Sequence, residues 1–186
     1  GFCFDIGNTT KASLQNILDS HNPLGGRVDN PATNGAIMRL APVPIYFYQN
    51  LNKTYHYSKL NTLITHGAEE SIEASLLLSY IIHMALQGKS KNEILRFHHF
   101  EPKLYTKIAL IKNGNFKSID ENILDGKGLA YNTLLSAVYA FYHFDNFIDG
   151  LIFCVNLGDD TDTVGAVYGQ IAGSFYGLKK IPSYYL

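Results

Sequence analysis

The sequence has few cysteines, no long apolar run and no excess of charge of either sign. Its two cysteines, Cys3 and Cys154, are too few for a disulfide framework or a four-ligand zinc site. Cys154 lies in an apolar run, which is typical of a buried thiol. No stretch reaches the ~18–20 apolar residues that a membrane span requires, and the first residues do not resemble a secretory leader. We therefore expect a reduced, cytoplasmic protein with no membrane partner.

The charge balance excludes another class of partner. Fifteen Lys and Arg oppose sixteen Asp and Glu, which gives a formal net charge of −1. Phosphate neutralisation needs clustered Lys and Arg, so we expect no nucleic-acid partner. Apolar surface, in contrast, is abundant, since 46% of the 186 residues are hydrophobic and 13% are aromatic. This composition excludes disorder and predicts a single domain over residues 1–186.

Hydrophobic spacing predicts an all-α protein. Apolar residues recur at three- and four-residue steps from Ala68 to Leu86, with acidic residues in the first turns and Gly88 as the stop. No segment shows the sustained period-two alternation that indicates a strand. Three further long helices are predicted over residues 129–144, over 147–157 with Asp145 as N-cap, and over 163–176. Two shorter helices are predicted over residues 14–21 and 90–99.

Two long loops are also predicted. Pro31, Pro42 and Pro44 interrupt the segment 30–48, and residues 112–127 are polar and contain glycine. Functional residues are often found on such loops.

The last predicted helix is rich in small residues. Gly165, Gly169 and Gly173 each weaken a helix by about 0.8–1 kcal/mol relative to alanine. We interpret them as places where another helix approaches closely. A leucine at position 169 is therefore expected to overpack that contact.

Acidic side chains are concentrated in the segment Gly158-Asp-Asp-Thr-Asp-Thr163, between two predicted helices. One carboxylate is enough to cap the second helix, and adjacent like charges repel, so capping does not account for three acids. Hard oxygen ligands at this density suit Mg²⁺, Ca²⁺ or Mn²⁺, although the spacing is not that of an EF-hand. The pattern favours a metal site, with a helix-capping cluster as the alternative.

Two other segments carry candidate residues. Asn34-Gly35 is a turn dipeptide whose backbone N–H groups could cradle a phosphate, and Arg39 follows where it could pair with a phosphate or a carboxylate. His66 stands just ahead of a predicted helix, as a hydrogen-bond donor or a proton shuttle. Taken singly, these residues are better explained as an ordinary turn, a surface arginine and a solvated or capping histidine.

In this order, the three segments resemble the ADP-ribosylglycohydrolase family. T-N-G-A-I-M-R-L-A-P is similar to the family's G-N-G-x-x-M-R-x-x-P loop, T-H-G-A-E-E to its Thr-His segment, and L-G-D-D-T-D-T-V-G to its closing G-G-D-x-D-T signature. The resemblance extends from about Gly25 to Pro182. It implies a compact, orthogonal multi-helix fold around two Mg²⁺ ions, or Mn²⁺ in their place, and hydrolysis of ADP-ribosyl bonds.

The resemblance also implies roles for individual residues. Asp160, Asp162 and Thr163 match the family's metal-ligand positions, and the two aspartates are the expected catalytic groups. The implied partner is ADP-ribose or an ADP-ribosylated protein. Substrate contacts are expected from Thr33, Asn34, Gly35, Arg39 and His66.

The sequence departs from the family pattern in two residues and in its N-terminal part. Thr33 and Asp159 replace glycines of the pattern. The family's acidic Gly-Asp-x-x-Gly and Thr/Ser-Asp-Asp-Thr/Ser segments are not found before Gly25, and Gly1 resembles a cut or late start. We therefore expect a chain that lacks the family's N-terminal helices and half of the metal ligands, which a separate segment would complete. The alternative function is that of a non-catalytic ADP-ribose-binding or crystallin-like structural relative.

Overall fold

The computed structural model of the chain describes residues 5–185; the start of the sequence with Cys3, and Leu186, lie outside the described residues. Over that range the chain forms nine α-helices joined by loops and 3-10 turns. The β contacts in this range amount to one isolated bridge, between Thr33 and Leu129. The predicted all-α class is confirmed. None of the described helices is long and apolar enough to cross a bilayer.

The helices are numbered in chain order. They are α1 Asn8–Ser20, α2 Pro42–Tyr46, α3 Leu51–Leu63, α4 Glu69–Leu86, α5 Lys91–Leu95, α6 Ile108–Lys112, α7 Ala130–His143, α8 Phe147–Val155 and α9 Thr161–Tyr176. The 3-10 turns are Ile37–Arg39, Asn115–Lys117, Glu121–Ile123, Leu178–Lys180 and Ser183–Tyr185.

Helix α4 is the central element of the fold. Helices α2, α3, α7 and α9 pack against it. Most of its residues are buried, among them the fully enclosed Tyr80, Ile81 and Ile82. A helix that is buried on nearly all sides is expected to be apolar on nearly all sides. The helix ends at Leu86 as predicted and begins one residue later than predicted, with Ala68 as its N-cap. Gly88 lies in the left-handed region at φ +72° just beyond its end.

Helix α3 was not predicted, because its buried face is polar. Thr54, Ser58 and Thr62 lie one turn apart and are completely buried. The Thr62 hydroxyl donates to Ser75 Oγ of α4 at 2.7 Å, and Ser75 donates to the carbonyl of Ser71 at 2.9 Å. These small side chains let α3 approach α4 closely while most of their polar atoms find partners. Because these buried residues are polar, the sequence of α3 lacks the hydrophobic periodicity from which a helix is predicted.

Helix α2 lies inside a segment that was predicted to be a loop. Pro42 is its first residue and Pro44 follows two positions later. The N–H groups of the first helical turn have no partner within the helix, so proline costs little there. The prolines of this segment therefore start a helix instead of preventing one. The second predicted loop, residues 112–127, contains two of the 3-10 turns.

Several predicted helix ends are wrong by a few residues. Asn146, and not Asp145, caps α8, and its side-chain oxygen accepts from Asp149 N at 2.9 Å. The helix predicted over residues 90–99 is only Lys91–Leu95, because the chain leaves the helical region and Phe97 adopts φ +53°. Helices α1 and α9 begin earlier than predicted.

The close approach of α8 and α9 is not at the position that was predicted. At Gly169 an added Cβ would find nothing within 4 Å, so the prediction of a tight contact there is wrong. At Gly165 the Cβ would lie 3.0 Å from Val155 Cγ1. The tightest crossing is at Gly150 of α8, where a Cβ would lie 2.2 Å from the hydroxyl of the buried Tyr168.

We expect Gly169→Ala to stabilise the protein. Alanine is favoured over glycine inside a helix by about 0.5–1 kcal/mol, and the added methyl group meets no neighbour. Urea unfolding should show a higher midpoint with an unchanged slope. Gly165→Ala is the matched control in the same helix, and its gain should be smaller or absent because Val155 must move. A lower midpoint for Gly169→Ala would contradict the open space that the structure shows around this Cβ.

Candidate functional site

The three sequence motifs meet in one cleft with a volume of about 560 Å³. Its walls are the first turn of α1, the loop 31–35, the turn before α4 and the loop before α9. The predicted site residues that line it are Thr33, Asn34, Gly35, His66, Asp160, Asp162 and Thr163.

A buried amide joins the two most distant motifs. Asn34 is 6% exposed, and its Nδ2 donates to Asp160 Oδ2 at 2.7 Å and to Thr133 Oγ1 at 2.9 Å. The other carboxylate oxygen of Asp160 accepts from the Thr163 hydroxyl at 2.7 Å. Partial burial alone would raise the pKa of the Asp160 carboxyl, but these hydrogen bonds outweigh it and the pKa lies below its usual value. Asp160 is therefore ionised and held in one orientation.

A glycine loop that the sequence analysis overlooked joins the same two motifs through the backbone. The carbonyl of Gly128 accepts from Asn34 N at 3.1 Å, and the carbonyl of Gly126 accepts from Asp160 N at 3.1 Å. The backbone packs tightly at Gly126, where an added Cβ would lie 2.1 Å from the Gly158 carbonyl oxygen. At Gly128 an added Cβ would lie 3.4 Å from Asp160 Oδ2, an ordinary contact distance. The sequence feature that could have predicted this loop is the presence of two glycines just before a predicted helix.

Helix α1 contributes hydroxyl groups that the sequence analysis also missed. Thr9 and Thr10 line the cleft. Thr33 Oγ1 donates to Thr9 Oγ1 at 3.3 Å, so the loop 31–35 is tied to the first turn of this helix. The N-cap residue Gly7 offers no side-chain cap to that turn. The glycine followed by Asn8 and two threonines was a signal for a helix start at this point.

Helix capping does not account for the acidic segment before α9. Asp160 occupies the N-cap position, but its side chain makes no capping hydrogen bond. Asp162 lies in the first turn and is exposed. Asp159 adopts φ +59°, in the left-handed region that glycine prefers, at the position where the family pattern has glycine. The backbone at Asp159 is therefore strained, and capping of α9 is not the main role of these acids.

The donor set fits one side of a divalent-cation site. Carboxylate and hydroxyl oxygens are the ligands that Mg²⁺ and Mn²⁺ prefer, and Asp160, Asp162 and Thr163 present them within one turn. Asp5 also lines the cleft. Within residues 5–185, however, no group of three or more His, Cys, Asp or Glu side chains is placed to hold a metal ion. These residues therefore have suitable chemistry but supply fewer than the about six ligands that Mg²⁺ requires.

His66 lies in the cleft wall between two threonines. It is 1% exposed, with Nδ1 2.7 Å from Thr65 Oγ1 and Nε2 2.9 Å from Thr33 Oγ1. The glycine that follows lets another backbone segment cross closely, since a Cβ at Gly67 would lie 2.5 Å from the Gly26 carbonyl oxygen. Burial, together with the charge of a nearby arginine, lowers the pKa of His66 to about 4. The imidazole is neutral near pH 7, with one donor and one acceptor nitrogen.

Arg39 is the one predicted substrate-binding residue that the structure does not bring to the cleft. Its Nη1 donates to Asn61 Oδ1 at 3.0 Å, and its Nη2 donates to Thr65 Oγ1 at 2.6 Å and to the Asn61 carbonyl at 3.3 Å. These acceptors are neutral, whereas a phosphate or a carboxylate was predicted. The guanidinium is directed to the end of α3, although the 3-10 turn that carries it packs against α4 and α9 and its Met38 lines the cleft.

The buried, neutral state of His66 predicts a pH dependence of stability. The unfolded histidine has a pKa near 6.5 and the folded one about 4, so the unfolded chain binds more protons between these values. Stability from this group is complete above pH 6.5 and decreases as the pH falls towards 4, by roughly 2 kcal/mol. Urea unfolding of the wild type and of His66→Gln at pH 7 and about pH 4.5 isolates the effect, because all other groups are shared. Equal pH dependence in the two proteins would contradict it.

Comparison with known proteins identifies a family for the chain. A family model described as ADP-ribosylglycohydrolase matches residues 1–186. The ADP-ribosylarginine hydrolase Tri1 of Serratia proteamaculans is 35% identical over 100% of this chain and 50% of its own length. The ADP-ribosyl-[dinitrogen reductase] glycohydrolase of Rhodospirillum rubrum is 26% identical over 98% of this chain and 59% of its own.

A solved structure gives the same fold. It is described as an ADP-ribosylglycohydrolase-related protein complex, and it matches with a TM-score of 0.85 and 36% identity over 95% of this chain and 61% of that one. The chain spans about half the length of the curated relatives that it matches.

Proposed function

The chain belongs to the ADP-ribosylglycohydrolase family, and on that premise we propose that its cleft takes part in removing ADP-ribosyl groups from modified proteins or small ADP-ribose conjugates. The observation that carries the proposal is the 2.7 Å hydrogen bond between Asn34 and Asp160, residues 126 positions apart. It joins the loop proposed to bind the nucleotide with the acids proposed to act on the ribosyl bond.

The nucleotide end of the cleft is rich in neutral donors. At Gly35 the backbone is bare, and an added Cβ would lie 3.0 Å from the His66 ring. The first turn of α1, which includes Thr9 and Thr10, lines the same wall and lacks a side-chain cap. Unpaired N–H groups at a helix N-terminus favour anions. These features support binding of the diphosphate and distal ribose by Asn34, Gly35 and their neighbours.

The acidic end of the cleft is suited to the reacting bond. Asp160, Asp162 and Thr163 would hold a Mg²⁺ or Mn²⁺ ion, which when bound supplies Lewis-acid stabilisation and a more acidic water. The side chains of the protein position and charge this end of the cleft. Asn34 and Thr163 fix the two oxygens of the Asp160 carboxylate and keep it ionised. Asp162 is left exposed to the cleft as the second negative charge.

We propose ADP-ribosylarginine as the first linkage to test. Two relatives that are 35% and 34% identical to this chain are named ADP-ribosylarginine hydrolase. The charge of the cleft supports this choice, because Asp5, Asp160 and Asp162 all line it and a modified guanidinium group remains cationic.

The test is to measure ADP-ribose release from an ADP-ribosylarginine peptide by the complete polypeptide, in Mg²⁺ and in chelator. We expect release that requires the cation and that is lost in Asp162→Asn. Asp159→Asn is the matched control, since this neighbouring acid does not line the cleft and should keep full release. No release by a folded chain, or release that chelator leaves unchanged, would contradict the proposal.

A second candidate is a non-catalytic ADP-ribose-binding protein. It is favoured by one observation, that no three-residue metal group lies within the described range 5–185. Calorimetric titration with ADP-ribose distinguishes the two candidates. Binding without turnover would support the second candidate, and turnover would exclude it. If the protein neither binds ADP-ribose nor releases it from the peptide, both candidate functions are excluded.

A further inference from the structure

A line of hydrogen bonds runs behind the cleft wall from α3 to α1. Arg39 Nη2 lies 2.6 Å from Thr65 Oγ1, which lies 2.7 Å from His66 Nδ1. On the other side of the ring, Nε2 lies 2.9 Å from Thr33 Oγ1, which lies 3.3 Å from Thr9 Oγ1. Each group in the line is within hydrogen-bonding distance of the next.

The direction of the line follows from its first member. A guanidinium group can only donate, so Thr65 Oγ1 accepts from Arg39. The hydroxyl hydrogen of Thr65, which is 5% exposed, then has the ring nitrogen Nδ1 as its acceptor. A neutral imidazole whose Nδ1 accepts must carry its proton on Nε2, and Nε2 therefore donates to Thr33 Oγ1. Thr33 accepts from the ring, and its own hydrogen is donated to Thr9 Oγ1, 3.3 Å away.

Packing alone does not explain why an arginine stands at this position. Arg39 is half-buried, and the three oxygens that accept from it, on Asn61 and Thr65, are all neutral. Burial lowers the pKa of the Arg39 guanidinium, as expected for a cation that leaves water. A buried charge without an opposite charge costs free energy. A neutral side chain of similar length would avoid that cost, but only a group that donates without accepting fixes the direction of the line.

We propose that Arg39 is a positioning residue that acts through Thr65 to hold His66 in the Nε2–H tautomer. This keeps the Thr33 hydroxyl a hydrogen-bond donor, to Thr9 Oγ1 in the free chain and to an anionic ligand that displaces this bond when it enters the cleft. The identity of that ligand as ADP-ribose rests on the function proposed above. The family pattern has glycine at position 33, so this chain adds a donor that the pattern lacks and uses His66 to orient it.

The tautomer is measured directly by nitrogen-15 NMR of the histidine side chains in the purified chain, with His66→Gln to assign the signals. In the wild type we expect Nε2 to show the shift of a protonated nitrogen and Nδ1 that of an acceptor. Thr65→Val removes the hydroxyl without changing the shape, and Arg39→Met removes the donor. Both should move the two shifts towards a mixture of tautomers, whereas Thr65→Ser should restore them.

Arg27→Met is the matched control for the arginine. Arg27 is exposed and its guanidinium pairs with the nearby Asp29, so its loss should leave the His66 ring unchanged. If Arg39→Met does not fold, the Thr65→Val and Thr65→Ser pair answers the same question. A wild-type ring with its proton on Nδ1 would overturn the proposal, and so would ring shifts that neither Thr65→Val nor Arg39→Met changes.

Ligand binding gives the second readout. ADP-ribose affinity, measured by calorimetry, should fall by about 3–10-fold in Thr65→Val and in Arg39→Met, because the Thr33 hydroxyl stays in place but is no longer fixed as a donor to the ligand. Thr65→Ser and Arg27→Met should bind as the wild type does. A change of tautomer with unaltered affinity would overturn the role of Thr33. If wild type itself does not bind ADP-ribose, the proposed function fails, while the tautomer measurement needs no ligand and still decides the role of Arg39.

Discussion

Replacing Asp160 with asparagine should reduce ADP-ribosyl hydrolysis by about 100-fold or more while the fold stays intact. Asparagine has the shape of aspartate, so its Oδ1 can still accept from Asn34 at the place of the 2.7 Å bond. Its Nδ2 can donate to Thr163, whose hydroxyl is able to rotate and accept. What the substitution removes is the negative charge and the second acceptor oxygen, which the proposed cation and reacting bond require.

Stability measured in metal-free buffer separates this loss from unfolding. Two neutral hydrogen bonds replace two charge-assisted ones, so the free energy of unfolding should change by about 1–2 kcal/mol at most. Asp159→Asn again serves as the control, because it removes a neighbouring charge outside the cleft. Activity within a few-fold of wild type in Asp160→Asn would exclude Asp160 from the reacting centre. A large loss of stability without loss of activity would make it a structural residue.

The helices that could be predicted are those that bury apolar side chains. Helix α7 was predicted over residues 129–144 and forms over Ala130–His143, since its inward face carries residues such as Leu134, Val138 and Phe141 at helical spacing. Helix α3 buries Thr54, Ser58 and Thr62 instead. What stabilises this helix is the hydrogen bonding of its hydroxyl groups with α4. That interaction cannot be recognised in the sequence of α3 alone, because it forms only when the two helices pack together.

The same distinction applies to the site. The Asn34 loop, His66 and the segment around Asp160 could be found because each is a local pattern, and the structure brings all three to one cleft. The loop with Gly126 and Gly128 was missed because its partners lie about 30 and 90 residues away along the chain. A contact between residues so far apart in the chain produces no local pattern in the sequence.

The course of a long side chain is a further property that local sequence does not determine. Arg39 was assigned to the substrate on the basis of its motif, yet the folded chain directs it to Asn61 and Thr65. A flexible arginine bonds to whichever acceptors the tertiary structure brings within its reach. Here the acceptors come from the end of α3, the helix that the sequence pattern did not reveal.

Gly126→Ala should cause the largest loss of stability that a single added methyl group can produce at this site. The new Cβ would lie 2.1 Å from the carbonyl oxygen of Gly158, and a backbone oxygen cannot rotate away as a side chain can. The loop must therefore shift, and its hydrogen bond to Asp160 N lengthens or breaks. Overpacking and a lost buried hydrogen bond together should cost about 3 kcal/mol or more, measured by urea unfolding.

Gly128→Ala is the matched control two residues along the same loop. Its Cβ would lie 3.4 Å from Asp160 Oδ2, an ordinary contact, so the free energy of unfolding should change by less than about 1 kcal/mol. The methyl group would nevertheless stand beside the Asp160 carboxylate in the cleft and should weaken ADP-ribose binding. The pair thus separates the two functions of the loop, because Gly126 holds the backbone at Asp160 in place while Gly128 leaves room around its side chain. Equal stability of the two variants would contradict this division.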